Sequence, residues 1–512
     1  MITARLSHLS LPINLLIRRT APYLLLIAIA IFYSAFLTRT YYWDGVLFSL
    51  YIEGVHRGEL APAILLHPNH LVYSALGYLL YSTALACGLE LRSLTLLQIL
   101  NVVVSIGAGF VVFGLSKRIT RSSSIALFCW LLFAFGATWW KFSTDADSYI
   151  LSVLFLVLTI WFALRNPARI IPAAVCHILA MLFHELAVFT YVPVIAAIAL
   201  DFRWSKIKKF WTSLIYVIGT GVCVGGGYLV AYSQADRLTY PSLFSWITSY
   251  ASDAGFTHSL AEITGSYLTS YIKLFLGGKL SLIRDYFSVA LCLSLAISVC
   301  MLIWALFLFR RTRACPPANP NARAIFVLWM WLFPSAIFLA FWGPGSAFYK
   351  LFVWPPIVLL IGVYIASRKR LNQHVHAFQA LAVAIAAWNF GAFIYPHSHT
   401  SADPVLVFAQ TLDRQLPRDA TVYYRVLDPD DWYLEYFAPG RKWLTLPPRI
   451  ESWQQHLPSS TRGPVCLETT ALDELEKNPR AARLGLEADT ARRWDLVNSQ
   501  HNIRLECLKS TR

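Results

Sequence analysis

Long apolar stretches recur through the first 400 residues of this chain and constrain its fold more than any other feature. A helix needs about 20 apolar residues to cross the hydrocarbon core of a bilayer. Of the 512 residues, 57% are hydrophobic and only 14% are charged, which excludes a soluble protein of this length. We therefore predict an all-α polytopic membrane protein with about eleven transmembrane helices. They are expected over 22–38, 94–115, 122–140, 149–164, 170–183, 186–200, 210–232, 287–309, 324–342, 351–366 and 377–395.

The net charge of the chain is +15, and its distribution predicts the orientation of the spans. In a soluble chain such an excess indicates nucleic-acid binding, whereas in a membrane protein basic residues concentrate in the cytoplasmic loops. When the loops are assigned to alternate sides, those on the side of Arg18 and Arg19 contain nineteen basic residues and a single acid, Asp201. We therefore predict a multi-pass protein of the cytoplasmic (inner) membrane, with a cytoplasmic N-terminus, an exported C-terminus and no nucleic-acid partner.

The stretch 71–88 is also long enough to span, but counting it as a span would move Lys117, Arg118 and Arg121 to the external side. We interpret it as an interfacial or re-entrant helix. The first external loop then covers 39–93 and is expected to contain interfacial helices.

The chain changes character after residue 400, where charged residues and prolines reach the frequencies of soluble proteins. We predict a transmembrane domain over 1–400 and a small extracytoplasmic α/β domain over 401–512. In this domain TVYYRVL and KWLTLPP are typical of strands, and DPVLVFAQTLDRQL and TALDELEKN of helices. Cys466 and Cys507 lie here, where export permits a disulfide, although two unpaired thiols fit the sequence equally well.

Acidic residues are nearly absent from the predicted spans, and polar residues gather instead where spans meet the external surface. A proton- or ion-coupled transporter usually keeps ionisable residues near the middle of the membrane. The pattern therefore favours a reaction on a lipid head group. The candidate site residues are Asp44, Glu53, His67, His70, Asp145, Asp147, His184, Glu185, Tyr349, Lys350 and Arg284.

Three acids are candidates for catalysis. Asp44 follows the first span among aromatic residues, where a carboxylate can take a proton from an incoming hydroxyl; a helix cap or a solvated acid is the structural alternative. Asp145 and Asp147 share the short loop KFSTDADSY. One of them can cap the following helix, which leaves the other for an acceptor or a divalent ion.

Two pairs of polar residues interrupt apolar sequence. His67 and His70 are spaced to share one helix face for a phosphate or a metal, but Pro68 between them equally indicates a helix start. His184 and Glu185 are not part of an HExxH motif, and at the tip of a helical hairpin they can also serve only to bond backbone groups.

Lys350 begins a late span on its predicted external side, within GPGSAFYKLFVWPP. A cation there either binds an anionic group such as a lipid phosphate or extends to the outer head groups. Tyr349 precedes it and is grouped with it as a binding residue, and Arg284 in the fourth external loop is a further candidate for the phosphate. No GxGxxG, P-loop, GxSxG or CxxC motif is present, so soluble nucleotide-dependent chemistry is not supported.

Taken in chain order, these pieces resemble the GT-C superfamily of integral-membrane glycosyltransferases. The resemblance is to its polyprenyl-phosphate-sugar-dependent branch, the protein O-mannosyltransferases and the lipid A aminoarabinose transferases. It covers about residues 20–400. It rests on Asp44, on Gly54 and Gly58 leading to HPNHLVY, on the basic SKR turn, on the short acidic second external loop and on AFYKLFVWPP.

The resemblance implies a sugar donor carried on a polyprenyl phosphate such as undecaprenyl phosphate, with Asp44 as the general base and inversion at the anomeric carbon. Asp145 or Asp147 would position the acceptor or a metal ion, and a divalent ion is the only cofactor that the resemblance leaves open. Lys350 would hold the donor phosphate. Several relatives carry Asp-Glu after the first span, whereas this chain has Asp44 followed by glycine, so Glu53 replaces the second acid only if the helix turns it back.

Two alternatives remain open from the sequence. A polymerase or ligase acting on polyprenyl-pyrophosphate glycans would depend on the external arginines, which are Arg39, Arg57, Arg92, Arg237 and Arg284. A non-catalytic transporter or assembly factor for envelope lipids would keep its function after Asp44→Asn. The sequence identifies neither the sugar nor the acceptor, which can be a protein, a lipid or a glycan.

Overall fold

The fold is described from a computed structural model, which covers residues 20–235, 239–249, 260–278, 280–310, 320–426, 429–447, 449–457, 463–478, 488–498 and 500–509. Three arginines named above lie outside these residues, namely Arg18, Arg19 and Arg237. Most of the described chain is helical, and a small sheet is formed near its C-terminus.

The helices before residue 400 are α1 Thr20–Ala35, α2 Trp43–His56, α3 Tyr73–Ala86, α4 Ser93–Thr120, α5 Ser123–Phe135, α6 Ala137–Ser143, α7 Tyr149–Ala163, α8 Ile170–Phe183, α9 Tyr191–Ala199, α10 Lys206–Ser233, α11 Leu243–Ile247, α12 Leu260–Phe275, α13 Leu280–Asp285, α14 Val289–Arg310, α15 Ala322–Phe341, α16 Trp354–Ser367, α17 Lys369–Asn372, α18 Val375–Asn389 and α19 Tyr395–His397. A π turn, Phe390–Ile394, joins the last two. Short 3-10 helices cover Pro62–Leu65, Pro68–His70, Glu185–Thr190, Tyr349–Phe352 and Thr400–Ala402.

Helix length and hydropathy identify the membrane region. In the described residues, five helices are long and apolar enough to cross a bilayer, namely α4, α10, α14, α15 and the helix that runs through Val375–His397. The bent pair α5 and α6 would make a sixth. Each of the other predicted spans contains a shorter apolar helix. The chain is therefore a multi-pass membrane protein, and the count of eleven spans stays a prediction.

The span predicted over 122–140 is broken rather than straight. Helices α5 and α6 meet at 64°, and Gly136 between them is extended (φ −61°, ψ 135°). A Cβ atom at Gly136 would lie 2.6 Å from the Trp354 ring, so only glycine allows this approach. The break frees backbone carbonyls in the membrane region. Trp354 Nε1 donates to Phe133 O at 3.1 Å, and Asn389 Nδ2 donates to Phe135 O at 2.8 Å.

The stretch 71–88 forms helix α3, which has 14 residues. A helix of that length measures about 21 Å, less than the roughly 30 Å of a hydrocarbon core. It is not among the candidate spans of the described residues. Its interfacial placement stays a prediction.

Contacts within the chain divide it into two units. The first contains residues up to Thr38 and Val55–Pro396, and the second contains Arg39–Gly54 and His397–Arg512. The second unit therefore combines most of α2 with the C-terminal region. Tyr433 Oη donates to Tyr41 O at 2.7 Å within it.

The second unit contains five strands, β1 Thr421–Tyr424, β2 Lys442–Thr445, β3 Val465–Glu468, β4 Ala488–Val497 and β5 Asn502–Leu508. They form one sheet in the order β2-β1-β3-β5-β4, so the prediction of a small α/β region is confirmed. β1 pairs parallel with β2 and β3, and β5 pairs antiparallel with β3 and β4. Cys466 and Cys507 face each other in β3 and β5 and form a disulfide. The helices of this region are α20 Pro404–Gln415, α21 Pro429–Phe437, α22 Trp453–His456 and α23 Thr469–Lys477, with a 3-10 helix over Ile450–Ser452.

Candidate active site

The loop between α6 and α7 buries both of its acids. Asp145 and Asp147 have no exposed surface in the described structure. Lys141, one turn earlier on α6, places its Nζ 2.8 Å from Asp145 Oδ2, and Ala146 N donates to Asp145 Oδ1 at 2.8 Å. Asp147 Oδ1 accepts from Tyr149 N at 3.2 Å, at the start of α7. Asp147 therefore accepts from the first backbone N–H of α7, although the residue at the N-cap position is Ser148.

Two amides on one face of α4 hold this loop in place. Gln98 Nε2 donates to Thr38 O at 2.9 Å and to Thr144 O at 2.8 Å. Asn101 Nδ2, one turn further on, donates to the carbonyls of Asp145 at 2.8 Å and Asp147 at 2.7 Å. Buried loop carbonyls need such donors because water does not reach them. The positions of both carboxylates therefore depend on α4.

A group of buried imidazoles lies beside the acidic loop. Ser148 Oγ is 2.6 Å from His70 Nδ1, and the rings of His70 and His184 have centroids 4.9 Å apart. The Tyr149 ring is tilted against that of His184, with centroids 4.8 Å apart, and Tyr349 lies edge-on to Tyr149 at 6.0 Å. The structure thus brings together residues from four separate segments of the first unit. We call these residues, together with Asp145 and Asp147, the polar cluster.

The imidazoles of this cluster are neutral. Burial lowers the pKa of His184 to about 3 and holds the pKa of His70 well below its usual value. Burial also lowers the pKa of the neighbouring His67 to about 4. His184 Nδ1 accepts from Leu186 N at 3.1 Å, so the ring proton is on Nε2. That Nε2 atom is buried and has no hydrogen-bond partner in the described residues. His184 can therefore donate one hydrogen bond to a ligand but supplies no positive charge.

His67 serves the local backbone, because its side chain accepts from Asn69 N at 3.3 Å at the start of the 3-10 helix Pro68–His70. This is the helix start that Pro68 indicated. Among the described residues, no group of three or more histidines, cysteines and acids could hold a metal ion, and Asp145 is already neutralised by Lys141.

Lys350 is fully buried and donates to three backbone carbonyls at the end of α15 and in the turn after it. Its Nζ lies 3.3 Å from Leu339 O, 2.9 Å from Gly343 O and 3.0 Å from Pro344 O. Burial lowers the pKa of Lys350 to about 7. An ammonium group has three protons, so a phosphate oxygen would have to replace one of these carbonyls.

Asp44 belongs to the second unit, where it lies in the first turn of α2 and is half-buried. Burial raises the pKa of its carboxyl to about 7. Glu53 is nine positions further along the same helix, which places it on the opposite side because each residue turns by about 100°. Its Oε1 accepts from Tyr436 Oη at 2.9 Å. The helix does not turn Glu53 back towards Asp44.

Two further candidates are not part of the polar cluster as described. Glu185 begins the 3-10 helix Glu185–Thr190 and is half-buried. Arg284 is largely exposed and pairs with Asp285 at 2.9 Å. The sequence reasoning missed Lys141 and Ser148. Lys141 could have been found from its spacing of four residues before Asp145, whereas nothing local to Ser148 indicates His70 as its partner.

No family model matches the chain, and no curated protein matches it in sequence. Solved structures do match its fold, and two of them are of the same protein. ArnT from Cupriavidus metallidurans bound to undecaprenyl phosphate matches with a TM-score of 0.60 at 11% identity, over 95% of this chain and 98% of that one. ArnT of the same organism in the apo state gives 0.61 at 11% identity, over 96% and 98%. ArnT is an aminoarabinose transferase of the GT-C family, and the present chain has its fold.

Proposed function

We propose that this protein is a glycosyltransferase of the GT-C type, which moves a sugar from a polyprenyl-phosphate donor to an acceptor hydroxyl at the external face of the inner membrane. One observation carries the proposal. The fold follows, over 95% of the chain, that of a protein solved with undecaprenyl phosphate bound. The polar cluster adds to it, because loops at one end of the helices gather buried acids and neutral imidazoles.

In this proposal Asp44 is the general base. A base works best when its pKa is close to the working pH, because it is then ionised and still accepts a proton readily. The pKa of about 7 for Asp44 meets this condition, whereas an ordinary aspartate is a weak base at neutral pH. Asp44 takes the proton of the acceptor hydroxyl as the hydroxyl oxygen bonds to the anomeric carbon. The bond from that carbon to the phosphate oxygen breaks on the opposite face, which inverts the configuration.

The polar cluster binds and orients the sugar or the acceptor. His184 offers one unused N–H, and the carboxylates of Asp145 and Asp147 are fixed by the loop that Asn101 holds. Neutral donors and fixed carboxylates suit a polyhydroxylated ligand, since hydroxyl groups both donate and accept hydrogen bonds. The donor set does not favour a metal ion, and no step depends on one.

The leaving polyprenyl phosphate gains negative charge, which a cation stabilises. Lys350 takes this role in the proposal by exchanging one backbone carbonyl for a phosphate oxygen. Its three present acceptors are neutral, so binding an anion in place of one of them also favours the charged form of the lysine.

Donor turnover by the purified protein tests the proposal. The full chain in lipid nanodiscs is given undecaprenyl-phosphate sugars that differ in the sugar, and the release of undecaprenyl phosphate is measured. Asp44→Asn is expected to lower the rate at least about a hundredfold. Glu59→Gln is the matched control, because Glu59 is an exposed acid of the same predicted loop that pairs only with Arg57 in the described contacts. It should leave the rate unchanged.

Two results would contradict the proposal in different ways. Equal turnover by wild type and Asp44→Asn rejects the base assignment. Binding of undecaprenyl phosphate without turnover of any donor favours the transporter or assembly factor.

A topology reporter tests the predicted orientation separately. Fused at residue 450 it should read as external, and a cytoplasmic reading would reject the predicted export of the C-terminus.

A further inference from the structure

Four arginines converge where four helices of the first unit end or begin. Arg118 lies in the last turn of α4, Arg165 follows α7, Arg203 follows α9, and Arg323 lies in the first turn of α15. α7, α9 and α15 run from here to the polar cluster or its neighbouring loops at their other ends. The four arginines are thus on the opposite membrane face, the one predicted to be cytoplasmic.

The indole ring of Trp161 lies against two of these arginines, Arg118 and Arg165. A Cβ atom at Gly114 would lie 2.8 Å from the Trp161 ring, so this ring packs directly on the backbone of α4. The guanidinium of Arg118 lies 4.5 Å from the ring centroid, and that of Arg165 lies 4.8 Å from it. Cations stack favourably on indole, but two of them on one ring also repel each other. Arg118 experiences this repulsion from Arg165 and from Arg323.

Among the described residues one carboxylate, that of Asp201, pairs with these cations, and most of its hydrogen bonds are to Arg203. Asp201 is fully buried and accepts from Arg203 through N at 3.2 Å, Nε at 3.3 Å and Nη2 at 3.0 Å. Arg323 reaches it only at 3.7 Å and donates instead to the carbonyls of Ala163 and Ala197. Within the described part of the chain, the ion pairs of the four guanidinium groups therefore involve a single carboxylate.

Several of their donors have no acceptor. Arg118 Nη1, Arg165 Nε and Arg323 Nε are buried and have no hydrogen-bond partner in the described part of the chain. The guanidinium of Arg165 makes no hydrogen bond at all to the described residues and is held by Trp161 alone. Unpaired donors and mutual repulsion both cost stability, and a tetrahedral oxyanion removes both costs at once.

We propose that Arg118, Arg165 and Arg323 form a binding site for a phosphate group, as carried by the head group of an anionic lipid in the leaflet at that face. Guanidinium groups bind phosphate oxygens in pairs, and arginines near a membrane surface attract anionic lipids. The site is separate from the proposed donor site because it lies at the other end of the helices. An anionic lipid bound there would stabilise the ends of α4, α7 and α15 together.

Arg165→Gln is the informative variant, since it removes the one guanidinium that makes no hydrogen bond to the described residues. The matched control is Arg169→Gln, which removes an exposed arginine from the same loop. The full chain in a non-ionic detergent is titrated with dioctanoyl phosphatidylglycerol, dioctanoyl phosphatidylcholine and inorganic phosphate, and binding is measured by calorimetry. The unfolding midpoint of each variant without ligand checks that it is folded.

Arg165→Gln should weaken binding of phosphatidylglycerol about tenfold, the effect of one charge-assisted hydrogen bond, and Arg169→Gln less than about twofold. Tighter binding of phosphatidylglycerol than of inorganic phosphate identifies a lipid as the source of the phosphate. Equal binding of the two identifies a soluble phosphate compound. If neither probe distinguishes Arg165→Gln from Arg169→Gln, the site does not exist. These outcomes are independent of donor turnover.

Discussion

Lowering the pH below 7 should slow the proposed sugar transfer, because it protonates the carboxylate of Asp44. A general base must be ionised to accept a proton, so the reaction rate follows the ionised fraction of that group. Burial raises the pKa of Asp44 to about 7. The value of kcat/KM should therefore fall as the carboxyl becomes protonated below about pH 7.

The window from pH 6 to pH 5 separates Asp44 from other groups. With a pKa of about 7, its ionised fraction is about 9% at pH 6 and about 1% at pH 5, which lowers kcat/KM about ninefold. If the base were an ordinary aspartate with a pKa near 3.9, kcat/KM would fall by less than about a tenth over the same window. Lys350, with a pKa of about 7, is almost fully protonated at both values, and His184, with a pKa of about 3, remains neutral at both.

The assay is the release of undecaprenyl phosphate at donor concentrations well below KM. The donor is a phosphodiester and lacks the second phosphate ionisation near pH 6, so its own charge is constant across the window. Asp44→Asn should have a low residual rate with no ninefold step. The unfolding midpoint at both pH values shows whether the protein is intact. A wild-type rate that is the same at pH 5 and pH 6 would refute the assignment of the base.

Two further predictions concern stability. Asn101→Leu removes a donor that bonds two buried loop carbonyls, those of Asp145 and Asp147, so it should lower the free energy of unfolding by about 2–4 kcal/mol and reduce donor turnover. Ser105→Ala, on the same helix, removes a hydroxyl without a described partner and should change neither by much. Reduction of the Cys466–Cys507 disulfide opens a covalent loop with a sequence separation of 41, so it should destabilise the C-terminal region by about 4 kcal/mol. Chemical denaturation with and without dithiothreitol measures this loss; an unchanged midpoint would contradict it.

The sequence predicts the fold well where the hydrophobicity of a single segment determines its structure. Every apolar stretch of about membrane length contains a helix, because a chain in a bilayer must satisfy its backbone hydrogen bonds within the segment. The break at Gly136 could not be predicted in this way. It depends on Trp354, which is more than 200 residues later in the chain and fills the space that a side chain would need.

The site was predictable in its residue types and not in its contacts. Asp145 and His70 are polar residues that interrupt apolar sequence, so they could be identified as candidates from the sequence. The partner of Asp145 could also be predicted, since Lys141 is one helical turn earlier. The contact of His70 with Ser148 joins segments 78 residues apart, and only the packing of the helices determines it. Lys350 was identified by its unexpected charge, but its inward direction follows from the turn after α15.

The bend between α5 and α6 has a consequence for synthesis of the protein. Its freed carbonyls at Phe133 and Phe135 are bonded by Trp354 and Asn389, which the ribosome adds more than 200 residues later. During translation these carbonyls lack their final donors until the last predicted spans have entered the membrane. We therefore expect α5 and α6 to enter as a continuous helix and to bend only late. A chain that stops before Asn389 should retain its early spans without completing this bend.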